Sequence, residues 1–347
     1  LPNLKKLSNE GCYSHLKTTF PAISPVAWSS FSTGCQAGRH NIFDFLDRDP
    51  RSYLPVLSSA RISSPRRILK LGKFRIPFSK PDIRLLQKSR PFWSILGEFG
   101  LWSTVLRVPI TFPPQRFYGA QLSAMSTPDL RGTQGTFTFY TSEECVEVIR
   151  EGGVRVRVEV KNDQVSTYLA GPPNSLVAGN PELRLPLSVR WDKRKGVAYG
   201  KVGSQEFALR PREYSDWIRL SFSTGIGLKV RGIARFYIPH IPDETGKPFH
   251  LYVTPISIDP ESPAMPISFP GYYATYLAKL IGPYATIGLA EDTWGLNEGV
   301  INEEAFLKQA YDIHEEREKM FFEALKRLHE GSLVCVFDIT DRLQHMF

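Results

Sequence analysis

The sequence predicts an α/β protein, with a central, mostly parallel sheet flanked by helices and a long antiparallel β region inserted into it. Three observations carry this. Pro91–Phe99 reads as a helix, Gly100 stops it, and Leu101–Ile110 follows as a strand; helix, glycine and strand in succession mark a parallel α/β unit. The same order recurs near the other end, where a helix over Glu303–Glu330 and then Gly331 precede the apolar run Leu333–Ile339. Between them, over residues 132–245, apolar and polar residues alternate in short runs separated by turn residues, as antiparallel strands with one wet face require. The chain thus divides into 1–131 and 246–347, two parts of one α/β unit, with 132–245 inserted between them.

Each element has its own warrant. Leu1, Leu4 and Leu7 stand at helical spacing, and Gly11 stops that helix. Cys12–Phe20 is short and mixed and reads as a strand. Ser24 is a good N-cap, Pro25 suits the first helical position, Val26–Thr33 continues the helix and Gly34 ends it. Asp47–Arg90, rich in Pro, Ser and basic residues, reads as a long irregular flap over the surface. The alternating strands include Thr136–Tyr140, Val154–Val160, Leu187–Trp191, Ile218–Phe222 and Gly227–Tyr237. Helices return at Pro270–Ile281 and, capped by Asn302, at Glu303–Glu330, whose stripe of Ala305, Phe306, Ile313, Met320, Phe321, Ala324 and Leu328 is core. The last strand is apolar except for Asp338, which suits a central strand buried on both faces.

Composition narrows the classes. With 347 residues and 42% apolar side chains, a sizeable core can form. No run of 18 apolar residues could cross a membrane, and no secretory signal pattern is present. The four cysteines, Cys12, Cys35, Cys145 and Cys335, have no paired spacing, which argues against a disulfide framework or a cysteine zinc site and for a reducing, cytoplasmic setting. The net charge of +8 is uneven: residues 61–90 hold ten Lys or Arg against the single acid Asp82. Such a run is either a solvated flap or an attractor of polyanions, whether nucleic acid, anionic lipid headgroups or a phosphorylated substrate. Few aromatics interleave the charges, which counts against stacking on nucleic acid.

Two stretches could carry chemistry. Asp341 and His345 are four residues apart, so one helical turn presents both on one side, just past a strand end where α/β sheets build their sites. A carboxylate and an imidazole suit a zinc-class ion, although an N-cap Asp followed by a surface His would read the same. Ser24 is either a cap or a nucleophile at a helix N-terminus, where free N–H groups and the dipole favour a phosphate. His40 follows that helix and reads as structural; His314 and His329 read as solvated. No phosphate-binding glycine loop is present: Ser223–Gly227 is not followed by a helix.

Taken in order along the chain, these stretches resemble the alkaline phosphatase superfamily, in its phosphohydrolase and phosphomutase branch related to type I phosphodiesterase/nucleotide pyrophosphatase. The resemblance is carried by Leu1–Leu7, Ser24–Gly34 with Arg39, His40 and Ile42–Phe45, Val105–Pro113, Pro128–Gly135, Tyr214–Trp217, Leu251–Pro255, Ala290–Trp294 and Asp341–His345. It implies an alkaline-phosphatase-like core and two divalent metal ions, zinc or manganese. It also implies hydrolysis of phosphate mono- or diesters through a phosphoserine on Ser24, with Asp341, His345 and Ser24 as metal ligands. Substrates would be phosphorylated small molecules, nucleotides or lipid headgroups, with no specific nucleic acid. The sequence departs from the related pyrophosphatases in having Ser24-Pro25-Val26 where they carry Thr-x-Pro, and Asn41 where Gly is usual. The family's Asp-Gly motif would precede Leu1, and its Ser-Asp-His-Gly motif and a later His would follow Phe347. These 347 residues are therefore expected to hold part of the metal site and to be inactive alone, with a longer parent carrying the activity. A phosphomutase would use the same phosphoserine. A non-catalytic protein binding anionic glycan or lipid surfaces is the reading from a different class. A sulfatase is disfavoured, because Trp28 stands where its signature needs Arg.

Overall fold

The computed structural model describes residues 2–65, 67–79, 81–144, 149–150, 152–225, 227–242 and 246–347. Leu1, Arg66, Lys80, Cys145 and Ile226, each part of an expectation above, lie outside the described residues. The chain is a mixed α/β protein with several sheets, some of them parallel.

The amino-terminal part contains α1 (Pro2–Glu10), α2 (Ser24–Thr33) and α3 (Ala37–His40). Gly34 and Asn41 close α2 and α3 with φ of 64° each. That left-handed conformation favours Gly and tolerates Asn, so the Asn41 departure is accommodated locally. Cys12–Phe20 forms no regular structure, correcting the expected strand.

The flap is not irregular. It contains β1 (Leu46–Arg48) with β2 (Pro55–Leu57), β3 (Ala60–Ser63) with β6 (Asp82–Leu85), and β4 (Ile68–Leu71) with β5 (Phe74–Pro77), three antiparallel pairs. Pro55 and Pro77 sit at strand ends, where no ladder hydrogen bond is lost, and Pro50, Pro65 and Pro81 lie outside the strands. After α4 (Phe92–Glu98), β7 (Ser103–Leu106) and β8 (Gly119–Leu122) run parallel.

The alternating region consists of strands. It comprises β9 (Phe137–Thr141), β10 (Ile149–Arg150), β11 (Gly153–Arg157), β12 (Val160–Lys161), β13 (Gln164–Pro173), β14 (Glu182–Asp192), β15 (Val197–Val202), β16 (Gln205–Leu209), β17 (Ile218–Ser223), β18 (Lys229–Ala234) and β19 (Phe236–Tyr237). Strands β12 to β16 form one antiparallel sheet in sequence order. Strand β9 departs from the pattern: it pairs parallel with β11 and antiparallel with β20 (His250–Val253). Next come β21 (Ser257–Ile258), β22 (Ser268–Phe269), α5 (Tyr273–Ile281), α6 (Thr293–Asn297) and α7 (Glu303–Leu325). The Asn302 side chain accepts the Ala305 N–H at 3.0 Å and caps α7. The chain ends with β23 (Ser332–Cys335) and α8 (Ile339–Met346).

The last strand needs correction. Among the described residues, β23 pairs only with β7, in the sheet order β22-β8-β7-β23. It is therefore an edge strand, and all four of its residues are half-buried. The apolar run continues past it because Val336, in the connection to α8, and Ile339, the first residue of α8, are buried, not because the strand is longer. Gly331, just before this strand, holds φ at 108°, and a Cβ there would lie 2.0 Å from the Trp102 carbonyl oxygen, so only glycine brings β23 onto β7.

Beside this sheet, burial changes one acid decisively. The Trp217 indole and the Ala285 N–H donate to Glu316 at 2.8 and 2.9 Å, yet burial pushes its carboxyl from 4.5 up to about 7. The folded state therefore holds this proton more tightly than the unfolded chain. The stability it contributes is full below about pH 4.5 and is lost as pH rises through about 7. The urea midpoint is expected to fall more between about pH 5 and about pH 8 in the native protein than in Glu316→Gln. Equal slopes in the two proteins would contradict this.

Candidate active site

Strands β7, β8 and β23 are mutually parallel, so their carboxyl ends share one edge of the sheet. Just past that edge lies a cleft of about 520 Å³, the position at which open α/β sheets bind ligands. It is lined by Ser24 and Trp28 of α2, Arg107 and Pro109 after β7, Ala124 and Met125 after β8, and Val336–Asp338 with Asp341 and Arg342 at the start of α8. Ser24 and Asp341, from opposite ends of the chain, are thus brought to one cavity.

Ser24 is the first residue of α2, not its cap. Ile23 holds the cap position, with extended backbone and no side-chain cap hydrogen bond. The N–H groups of Val26 and Ala27 both turn back to the Ile23 carbonyl, at 3.1 and 3.0 Å, and Pro25 has none. Among the described residues, the free backbone donor of this first turn is therefore that of Ser24 itself. Its hydroxyl, half-buried in the cleft wall, is not engaged in capping.

Asp341 lies in the first turn of α8 and His345 in the last. Their side chains meet at 3.5 Å, and Arg342 pairs with Asp341 at 3.0 Å. His345 is 67% exposed and does not line the cleft. Among the described residues, no group of three or more His, Cys, Asp or Glu side chains is gathered for a metal ion. The donor chemistry of Asp341 and His345 fits one zinc-class ion in part. A second ion has no assembled donor set among the described residues.

His40 is structural, as expected. It is fully buried, its Nδ1 accepts the Ile42 N–H at 3.2 Å and its Nε2 faces the Ser30 hydroxyl at 3.0 Å. Burial lowers its pKa, so the ring is neutral at physiological pH, with the proton on Nε2 donated to Ser30. His314 is less exposed than expected, its ring lying 5.6 Å from that of Phe337.

Sequence reasoning missed the charged floor of the cleft. Arg107 is buried and donates to the carbonyls of Ser123, Thr286, Ile287 and Gly288 at 2.5–3.3 Å. Burial and the neighbouring Arg317 lower its pKa to about 9, so it remains charged at neutral pH. It holds φ at 58°, Ile110 at 60° and Ser126 at 81°. Such strain persists only where the surroundings over-determine it, and it collects at functional sites. Beneath, Arg317 of α7 is 4% exposed and pairs with Asp338, which precedes α8, and with Glu291 at 3.9 Å. Two sequence signals pointed here. Arg317 breaks the apolar stripe of α7 between Ile313 and Met320, and Asp338 is the one charge in the terminal apolar run.

The decisive comparison concerns the segment that carries Ser24. Residues 1–167 match the model of the type I phosphodiesterase / nucleotide pyrophosphatase family. This family is part of the alkaline phosphatase superfamily, so the resemblance seen in the motifs is borne out over that stretch. The match covers α1 to α4, the flap, β7, β8 and the first strands of the alternating region. It points to phosphodiesterase- and pyrophosphatase-type phosphoester hydrolysis on phosphorylated or nucleotide substrates. No curated protein and no solved structure matches the chain. Among the described residues, no helix is long and apolar enough to cross a membrane.

Proposed function

We propose that this chain carries the nucleophile of a metal-dependent phosphoester hydrolase, acting on phosphate mono- or diesters through a phosphoserine on Ser24. The observation that supports it most is the shared cleft of Ser24 and Asp341 at the carboxyl edge of three parallel strands. The match to the type I phosphodiesterase / nucleotide pyrophosphatase family over residues 1–167 fits the same chemistry.

In this reading the Ser24 oxygen attacks phosphorus, the alcohol or phosphate leaving group departs, and water later cleaves the Ser24–phosphate bond. The Ser24 N–H and the positive end of α2 face the phosphoryl oxygens. Cys335, a thiol that also lines the cleft, is disabled as a competing nucleophile, because burial pushes it up to about 12. Asp341 and His345 would supply two donors to one divalent cation, zinc or manganese, with Ser24 its third neighbour. Bound there, the cation would ease ionisation of the serine hydroxyl and offset charge on the phosphoryl group.

Titration calorimetry with zinc chloride and manganese chloride tests the donor assignment directly. Asp341→Asn and His345→Ala are each expected to weaken binding by about 10–100-fold. In the intact protein, hydrolysis of bis(p-nitrophenyl) phosphate should be lost on chelation and restored by metal. Affinity unchanged in both variants, or hydrolysis indifferent to chelator, overturns the proposal.

A further inference from the structure

The hairpin β4–β5 at the end of the flap carries two features that are each unfavourable in water. The first is a run of uncompensated charge. The sequence has no acid between Asp49 and Asp82, and among the described residues none of Arg67, Lys70, Lys73 or Arg75 has an acidic partner. Worse, Lys70 and Arg75 are directly opposed across the ladder, and like charges in that position repel. The second is a partly uncovered apolar face. The register pairs Leu69 with Ile76 and Leu71 with Phe74, and alternation places these four side chains on one face, with Lys70 and Arg75 on the other. Leu69 is 47% and Leu71 64% exposed, and Phe78 just beyond is 70% exposed. An isolated two-stranded hairpin is marginal at best. This one is braced by Arg75 N–H to the Leu176 carbonyl and Ala178 N–H to the Lys73 carbonyl, both at 2.8 Å, which hold its backbone; on the apolar face Phe74 and Ile76 are half-buried while Leu69 and Leu71 stay exposed.

We infer that this hairpin is a docking element for an anionic lipid surface. One partner relieves both penalties: acyl chains at the membrane boundary cover Leu69, Leu71 and Phe78, and lipid phosphates neutralise Lys70, Lys73 and Arg75, whose long stems let their charges reach the headgroups. A nucleic acid would neutralise the charge but cover none of the aliphatic side chains. The element is tied to the cleft. Ser59 at the flap base bonds Ser126 at 2.6 Å, and Gln87 bonds Ser32 of α2 at 3.2 Å. Docking would therefore hold the nucleophile helix near the lipid surface, whatever substrate the cleft takes.

Co-sedimentation of the intact protein with vesicles tests this, comparing phosphatidylcholine alone with the same lipid containing about one-third phosphatidylserine. Binding is expected only with phosphatidylserine. Each charge near such a surface is worth about fivefold in partitioning, so Lys70→Glu with Lys73→Glu should cost at least about 25-fold. Leu69→Ser with Leu71→Ser should cost at least about tenfold. All four side chains are exposed, so the fold should survive, which circular dichroism checks. Absence of binding to the anionic vesicles overturns the inference. So does binding unchanged in both double variants, or equal binding to duplex DNA that the leucine variant leaves intact.

Discussion

Replacing Ser24 by alanine is expected to lower kcat on a phosphodiester by at least about 10³-fold while leaving thermal stability within a degree or two. The two halves of this expectation rest on different facts. Removing a covalent nucleophile removes the route itself, and Cys335, a thiol that also lines the cleft, cannot substitute, since burial holds it up at about 12. The fold should not notice, because Ser24 is half-buried, makes no cap hydrogen bond and sits in a helix whose geometry Pro25 and Gly34 already impose. Had Ser24 been the N-cap the sequence suggested, the same change would have cost about 1 kcal/mol. Acid quenching during turnover, followed by peptide mapping, supplies the independent check: phosphate should be found on Ser24. Label on another residue, or a Ser24→Ala enzyme with near-native kcat, removes this residue from the mechanism.

Replacing Arg317 by leucine is expected to destabilise the protein by about 3–5 kcal/mol. The cation is 4% exposed and lies between Asp338 and Glu291. Leucine would leave two carboxylates buried, or nearly so, with their main partner gone, and Glu291 already has one oxygen unpartnered. Arg107, the other buried cation nearby, cannot move to help, since its guanidinium is committed to four carbonyls. Urea unfolding measures the loss, and a change below about 1 kcal/mol would show that the cluster is not held by this pair. Because Asp338 precedes the helix that bears Asp341 and His345, the substitution should also weaken zinc binding, with Arg317→Lys recovering part of it.

Much of the architecture was legible because local chemistry decides it. The alternation over residues 132–245 produced strands where the pattern placed them, since a period of two permits one buried and one wet face and little else. Asn302 capped its helix and Asn41 took the left-handed turn, each for a reason contained within three or four residues. The flap was misread as irregular because prolines and charges mask short strands, and their pairing is set by partners up to 25 residues away, as with Ala60 and Leu85. The terminal strand was read as central because an apolar run reports burial without saying what does the burying.

The candidate site divides along the same line. Ser24, Asp341 and His345 were singled out from the sequence because each sits in a local frame that chemistry recognises: a serine at a proline-started helix, and a carboxylate and imidazole one turn apart. Which of them meet, and over what floor, was a matter of tertiary structure alone. Parallel pairing of β23 on β7 carries Asp341 to the cleft that Ser24 lines, and the packing of α7 brings Arg317 under Asp338. The sequence by itself determined the elements and the reactive residue types, because those depend on neighbours along the chain. Only the tertiary structure decided the cavity, its buried arginines and the exposure of the flap hairpin, because these depend on contacts between segments hundreds of residues apart.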